Sequence, residues 1–183
     1  MRSYENEPIA VQRDVRAVAI PAGVEVTLKV GQVGYITQAL GGSFTVYVEG
    51  NLFRIPGSEA DGIGMTVAKP PEVPPGASEE DIKNVVWEQL KTCYDPEIPV
   101  NIVDLGLIYS CDVQQNEDAT RTVDIKMTLT APGCGMGEVL VQDVRDKVQV
   151  VPTVAHANVE LVFDPPWNHT MMSEAARLQT GMM

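Results

Sequence analysis

Two stretches of this 183-residue chain carry side chains whose types and spacing could do chemistry. The first is Thr130-Ala131-Pro132-Gly133-Cys134-Gly135-Met136-Gly137, which the flanking pattern places between a strand and the start of a helix. A thiol just before a helix N-terminus feels the positive end of the dipole and unpaired backbone N–H groups, both of which favour the thiolate. Gly133, Gly135 and Gly137 would let a bulky ligand or a partner's backbone approach where a Cβ would clash. Cys134 is therefore a candidate metal ligand or nucleophile. Its plainer alternative is a small buried residue in a turn, the usual fate of a free cysteine. The second stretch, Tyr94 to Leu107, holds the carboxylates Asp95, Glu97 and Asp104 within ten residues, stiffened by Pro96 and Pro99. Beside a thiolate these anions would raise one another's pKa unless a cation lay between them. Alternatively, Asp95 and Asp104 cap turns and helix ends, and the prolines merely fix a crossing of the chain.

Other templates fare worse. The two histidines, His156 and His169, form no His-Glu-x-x-His pattern, and no Cys-x-x-Cys pair offers a tetrahedral zinc or redox site. A Cys-His hydrolase would need one of these histidines beside Cys134, and nothing in the pattern supports it. Cys93 falls on an apolar helix face and Cys111 in a strand, so both read as core residues. Three cysteines and a Met1–Glu7 start without the features of an export signal predict reduced thiols and a cytoplasmic location.

The elements that must position these loops divide at a proline-rich hinge. Pro70, Pro71, Pro74 and Pro75 lie in a stretch that can join neither a helix nor a central strand, which predicts a linker over 70–77. Before it, residues 1–69 read as a small antiparallel β domain. Val24, Val26, Leu28 and Val30, then Phe44, Val46 and Val48, alternate with period two, and Gly41-Gly42 and Glu49-Gly50-Asn51 mark turns. The uncharged run Val30 to Val48 has the length of a membrane span, but its glycines and polar residues reduce it to two strands and a turn.

After the linker, residues 78–165 read as α-β-β-α-β, a two-layer α+β domain with helices on one sheet face. Ser78 with Glu79, Glu80 and Asp81 signals a helix start, and Ile82, Val85, Val86, Leu90 and Cys93 trace its apolar face. Strands follow at Leu107–Val113 and Val123–Leu129, a helix at about Glu138–Val150, and a strand in which Ala157, Val159, Leu161 and Phe163 alternate. Residues 166–183 form a C-terminal tail with a short helix.

Charge narrows the partners. With 13 basic and 25 acidic side chains the net charge is −12. Residues 1–75 hold 6 and 8 of these and residues 76–183 hold 7 and 17, so the acidity belongs to the second domain. The basic residues are scattered singly, which excludes a phosphate-tracking footprint and disfavours both nucleic acid and an anionic membrane surface.

The run Tyr94 to Tyr109 and the run Met127 to Gly137, in that order with a strand pair between them, resemble the domain shared by SufT, the phenylacetate-pathway protein PaaD and cytosolic iron-sulfur targeting subunits. Thr37 to Val46 resembles the N-terminal extension of SufT proteins, and Asp164-Pro165-Pro166-Trp167 with Met172 to Ala176 resembles their C-terminal end. The resemblance implies a non-enzymatic accessory role in iron-sulfur cluster maturation. It carries over Cys134 as the loop cysteine, a metal ligand, with Asp95, Glu97 and Asp104 as the acidic loop of the binding site. Many relatives place proline after that cysteine, whereas this chain has Gly135, as SufT-like members do. A two-iron or four-iron cluster takes four cysteine ligands and Cys134 supplies one. Completion by a homodimer, a cluster shared with a client, or no cluster at all then remain open. The implied partners are iron-sulfur assembly proteins and client apoproteins. The roles that follow are a transient cluster carrier or transfer adaptor, or else a cluster-free interaction scaffold.

Overall fold

The computed structural model describes residues 5–133 and 135–182. Cys134 lies outside the described residues. The chain divides into two compact units, residues 1–69 with 135–142, and residues 70–134 with 143–183.

In the first unit the described residues form a six-stranded antiparallel sheet. Its strands are β1 (Pro8–Ala10), β2 (Val15–Ile20), β3 (Glu25–Leu28), β4 (Val33–Leu40), β5 (Ser43–Val48) and β6 (Asn51–Ile55), in spatial order β1-β4-β5-β6-β2-β3. Two tight hairpins set its centre. Leu40 pairs with Ser43 across Gly41 and Gly42, and Val48 pairs with Asn51 across Glu49 and Gly50. All four turn residues have positive φ, the condition for a two-residue turn whose twist matches the strands. The period-two reading holds for β5, where Phe44, Val46 and Val48 join Val15, Ala17, Ile36 and Ile55 in one core cluster. It holds less well around β3. Val24 and Val30 lie beyond the strand ends and are exposed, and the inward pair is Val26 and Leu28. The run Val30 to Val48 proves to be β4, its turn and β5. No helix among the described residues is long and apolar enough to cross a membrane.

After the linker the described elements follow the order α1 (Glu79–Leu90), β7 (Ile108–Gln115), β8 (Arg121–Met127), α2 (Gly137–Gln149), β9 (Val154–Leu161) and α3 (Glu174–Thr180), with 3-10 turn His169–Met171 before α3; all belong to the second unit except residues 137–142 of α2, which fall in the first. Helix α1 begins where the side chains demand. The Ser78 hydroxyl accepts from the Asp81 N–H and the Asp81 carboxylate accepts from the Ser78 N–H, a reciprocal capping box. Ile82, Val86 and Leu90 are fully buried, contributing about 1.5–3 kcal/mol each. The helix stops at Leu90, so Cys93 is not on its face. Cys93 lies past the end, buried within the return of the chain, where its carbonyl accepts from the Ile102 N–H at 2.9 Å.

Strands β7 and β8 pair antiparallel, and β9 pairs parallel to β8 after the α2 crossover. Parallel neighbours need such a connection, since no tight turn can join them. Val123, Ile125 and Met127 point inward while Thr122, Asp124 and Lys126 alternate outward. Strand β9 ends at Leu161, and Phe163 beyond it is exposed rather than core.

Candidate functional site

The acidic loop between α1 and β7 folds back on itself as a small hairpin. Tyr94 and Asn101 form an isolated antiparallel bridge, and the Asp95 N–H donates to the Val100 carbonyl at 3.2 Å. Pro96 and Pro99 occupy its tip, where an N–H would have no ladder partner.

Asp95 sits beneath that tip, 6% exposed. One carboxylate oxygen, Oδ1, accepts from the backbone N–H groups of Glu97 and Ile98, both at 2.9 Å. That is an Asx turn, in which a short acid closes the backbone two residues ahead of itself. The other oxygen, Oδ2, accepts from the Thr130 hydroxyl at 3.4 Å. Thr130 opens the Thr130–Gly137 loop, so Asp95 joins the two stretches singled out by their chemistry.

Asp104 is held by a second reciprocal pair. Its Oδ2 accepts from Asn101 Nδ2 at 2.6 Å while its N–H donates to Asn101 Oδ1 at 2.9 Å. Asn101 thus starts a tight turn through Gly106, with Leu105 N–H to Asn101 carbonyl at 3.0 Å and Leu107 N–H to Ile102 carbonyl at 3.0 Å. Ile102, Leu105 and Leu107 anchor that turn in the interior, each fully buried. Glu97 is exposed at the tip and enters the Asx turn through its backbone. Asp95 and Asp104 therefore have the capping geometry, accepting hydrogen bonds inside the loop and, for Asp95, one from Thr130 as well.

The other two thiols are withdrawn from solvent. Cys93 is fully buried, with Sγ 3.9 Å from the Gln89 carbonyl oxygen. Cys111 is 4% exposed, and burial pushes its thiol up to about 11. Among the described residues no group of three or more His, Cys, Asp or Glu side chains is arranged to hold a metal ion. His156 lies exposed on β9 and His169 in the 3-10 turn; near His156, at the β7–β8 tip, the Thr120 hydroxyl and then its N–H hold the Asp118 carboxylate below its ordinary range, with His156 the smallest contributor.

The C-terminal segment closes over the acidic loop, which local reading of the sequence does not show. The Trp167 indole N–H donates to the Leu105 carbonyl at 2.7 Å, and the Ser173 N–H to the Asp104 carbonyl at 2.7 Å. The Tyr109 hydroxyl donates to the Pro165 carbonyl at 2.6 Å, and Gln179 Nε2 to the Pro99 carbonyl at 3.4 Å. Gly106 has φ +73°, and a Cβ there would stand 2.2 Å from the Met171 carbonyl oxygen, so only glycine lets the strands of chain meet. The one available sequence signal was the Asn101-x-x-Asp104 spacing, a capping pattern that marks the turn but not its cover.

The model of a family described as iron-sulfur cluster assembly protein matches residues 83–161, a span that includes the acidic loop and the Thr130–Gly137 loop. An Fe-S protein maturation auxiliary factor of Porphyromonas gingivalis is 47% identical over 106 residues, 58% of this chain and 93% of its own length. The Fe-S protein maturation auxiliary factor SufT of Staphylococcus aureus is 38% identical over 88 residues, 48% of this chain and 96% of its own. Among solved structures, a domain of unknown function from Bacillus anthracis is similar at 36% identity and a TM-score of 0.51, over 57% of this chain and 96% of that one.

Proposed function

Because the chain belongs to the SufT-type family of iron-sulfur cluster assembly proteins, we propose that it is an accessory factor of iron-sulfur protein maturation, a transient carrier or transfer adaptor acting through Cys134. The observation that carries this reading is the match to a protein named as an Fe-S protein maturation auxiliary factor along 93% of that protein's length. The cluster is cargo here, taken from assembly proteins and passed to client apoproteins.

The burial of Cys93 and Cys111 supports the mechanism. With a pKa near 11, only about one in 10⁴ Cys111 side chains is ionised at pH 7, and thiolate is the form that binds iron. Thiolate supply then falls to Cys134, one ligand of the four a cluster takes. The rest come from outside this chain, from a second copy or from the client. A cargo held by so few ligands leaves readily, which is what transfer requires. In this reading Asp95, Glu97 and Asp104 belong to the site as its frame: Asp104 fixes the acidic loop's turn through Asn101, Glu97 enters through its backbone N–H, and Asp95 ties the loop to Thr130.

Anaerobic reconstitution with ferrous iron and sulfide tests the proposal. Charge-transfer absorption that is present in the wild type and lost in Cys134→Ser is the expected result. An unchanged spectrum in Cys134→Ser overturns ligation by that thiol. No metal uptake by the wild type, together with capture of a client, replaces the carrier by a cluster-free scaffold.

A further inference from the structure

The cover over the acidic loop is built of contacts that share one purpose. Trp167, Ser173 and Gln179 all reach the loop's backbone: the carbonyls of Leu105, Asp104 and Pro99 accept from the indole N–H, the main-chain N–H and the side-chain amide respectively. Met172 and Ala176 are buried beside them, at 3% and 1% exposure, and the Gly106–Met171 contact admits no side chain. Tyr109 fixes the start of the cover through Pro165. Backbone carbonyls, unlike side chains, cannot turn away, so these bonds determine where the loop's main chain lies.

From that main chain the connection runs on without a gap. The Leu105 N–H donates to the Asn101 carbonyl, and Asn101 bridges Tyr94. Next to Tyr94, the Asp95 N–H holds Val100, and the Asp95 carboxylate holds the Thr130 hydroxyl. We propose that residues 165–180 form a positioning strap, with Trp167 a positioning residue that acts through the acidic loop and the Asp95–Thr130 bond on the segment that begins at Thr130 and contains Cys134 in sequence. This deepens the maturation reading, since it says what sets the geometry of the same site.

A row of hydrogen bonds is a connection, and coupling must be measured as non-additivity. The experiment therefore takes the full chain, free of iron, and follows iodoacetamide modification of Cys134 by peptide mass mapping across a pH series. It compares wild type, Trp167→Phe, Thr130→Val and the double variant. Trp167→Phe keeps an aromatic ring and removes the N–H donor. The expected result is a change of threefold or more in the Cys134 modification rate, or a displaced pH midpoint, for each single variant. The double variant matches Thr130→Val alone, because the second change acts through the bond that the first removes. Tyr109→Phe, which frees the strap's start, gives a smaller change in the same direction and serves should Trp167→Phe fail to fold.

A rate and pH midpoint within twofold of wild type in folded Trp167→Phe would overturn the proposal. So would effects that multiply in the double variant. Amide exchange at Leu105 to Leu107 reports independently that the strap has been loosened. Because no cluster is involved, this outcome is separate from the reconstitution test, and either can fail alone.

Discussion

Replacing Asp95 by alanine distinguishes a carboxylate that shapes the loop from one that serves only as a ligand. Two backbone N–H groups at 2.9 Å and the Thr130 hydroxyl at 3.4 Å depend on it. Hydrogen bonds to a charged acceptor contribute about 1.5–3 kcal/mol each, and a donor left without a partner costs its desolvation. Glu97 is exposed, so water can satisfy its N–H after the substitution; the half-buried Ile98 N–H recovers less. The net loss is about 2–3 kcal/mol in Asp95→Ala. Asp95→Asn keeps one acceptor oxygen but gives up the charge that makes such bonds roughly twice as strong, so its loss is about 1 kcal/mol. Calorimetry with the two units' transitions resolved reads this out, since a single two-state fit is not licensed for a chain of two units. At about 4–8 °C per kcal/mol for a unit of roughly 100 residues, Asp95→Ala lowers the second unit's melting temperature by about 10 °C or more. Hydrogen exchange at the Ile98 amide accelerates with it. A shift below about 0.5 kcal/mol with unaltered Ile98 exchange would refute the structural role, and loss of iron uptake without destabilisation would make Asp95 a ligand instead.

Gly106→Ala combines left-handed strain of about 1–2 kcal/mol with a Cβ forced against the Met171 carbonyl. Gly42→Ala has the strain, at φ +84°, but open space around it. Gly106→Ala is therefore the more destabilising of the two in thermal melts, and equal losses would discount the Met171 contact. At the start of α1, Ser78→Ala removes the N-cap and costs about 1 kcal/mol in denaturant unfolding. The Ser78 backbone N–H, followed by its hydroxyl, lowers the Asp81 pKa, so the stabilisation is fully present above the unfolded value near 4 and is lost as pH falls through the folded value. The stability gap between wild type and Asp81→Asn is accordingly widest near neutrality and closes in acid; a gap that widens in acid contradicts the assignment.

Local chemistry made much of the fold legible. Gly41-Gly42 marked the β4–β5 turn because only residues tolerant of positive φ fit there, and Ser78 with three acids marked the start of α1. Cys93 misled for an equally physical reason. Its spacing continues the apolar face, but periodicity senses burial and not helicity, and Cys93 is buried in the chain's return after the helix has ended. The site was half legible. Asp95 and Asp104 stood out as carboxylates, yet acid type alone cannot tell a capping oxygen from a ligand. The capping bonds themselves became visible only once Asn101 and the N–H groups of Glu97 and Ile98 were placed in space. The short helix of the tail was legible but its docking as a strap was not, because the strap's bonds join residues 56 to 80 positions apart and use backbone carbonyls that carry no residue identity.

Those long separations matter while the polypeptide is being made. Trp167 leaves the ribosome 62 residues after Leu105, and at about 5–20 residues per second that interval lasts roughly 3–12 s. Throughout it the nascent acidic loop has its own turns but lacks its cover. The chain emerges with its chemistry incomplete, and a partner that engages only the strapped loop will pass over a nascent chain until translation has advanced past the strap.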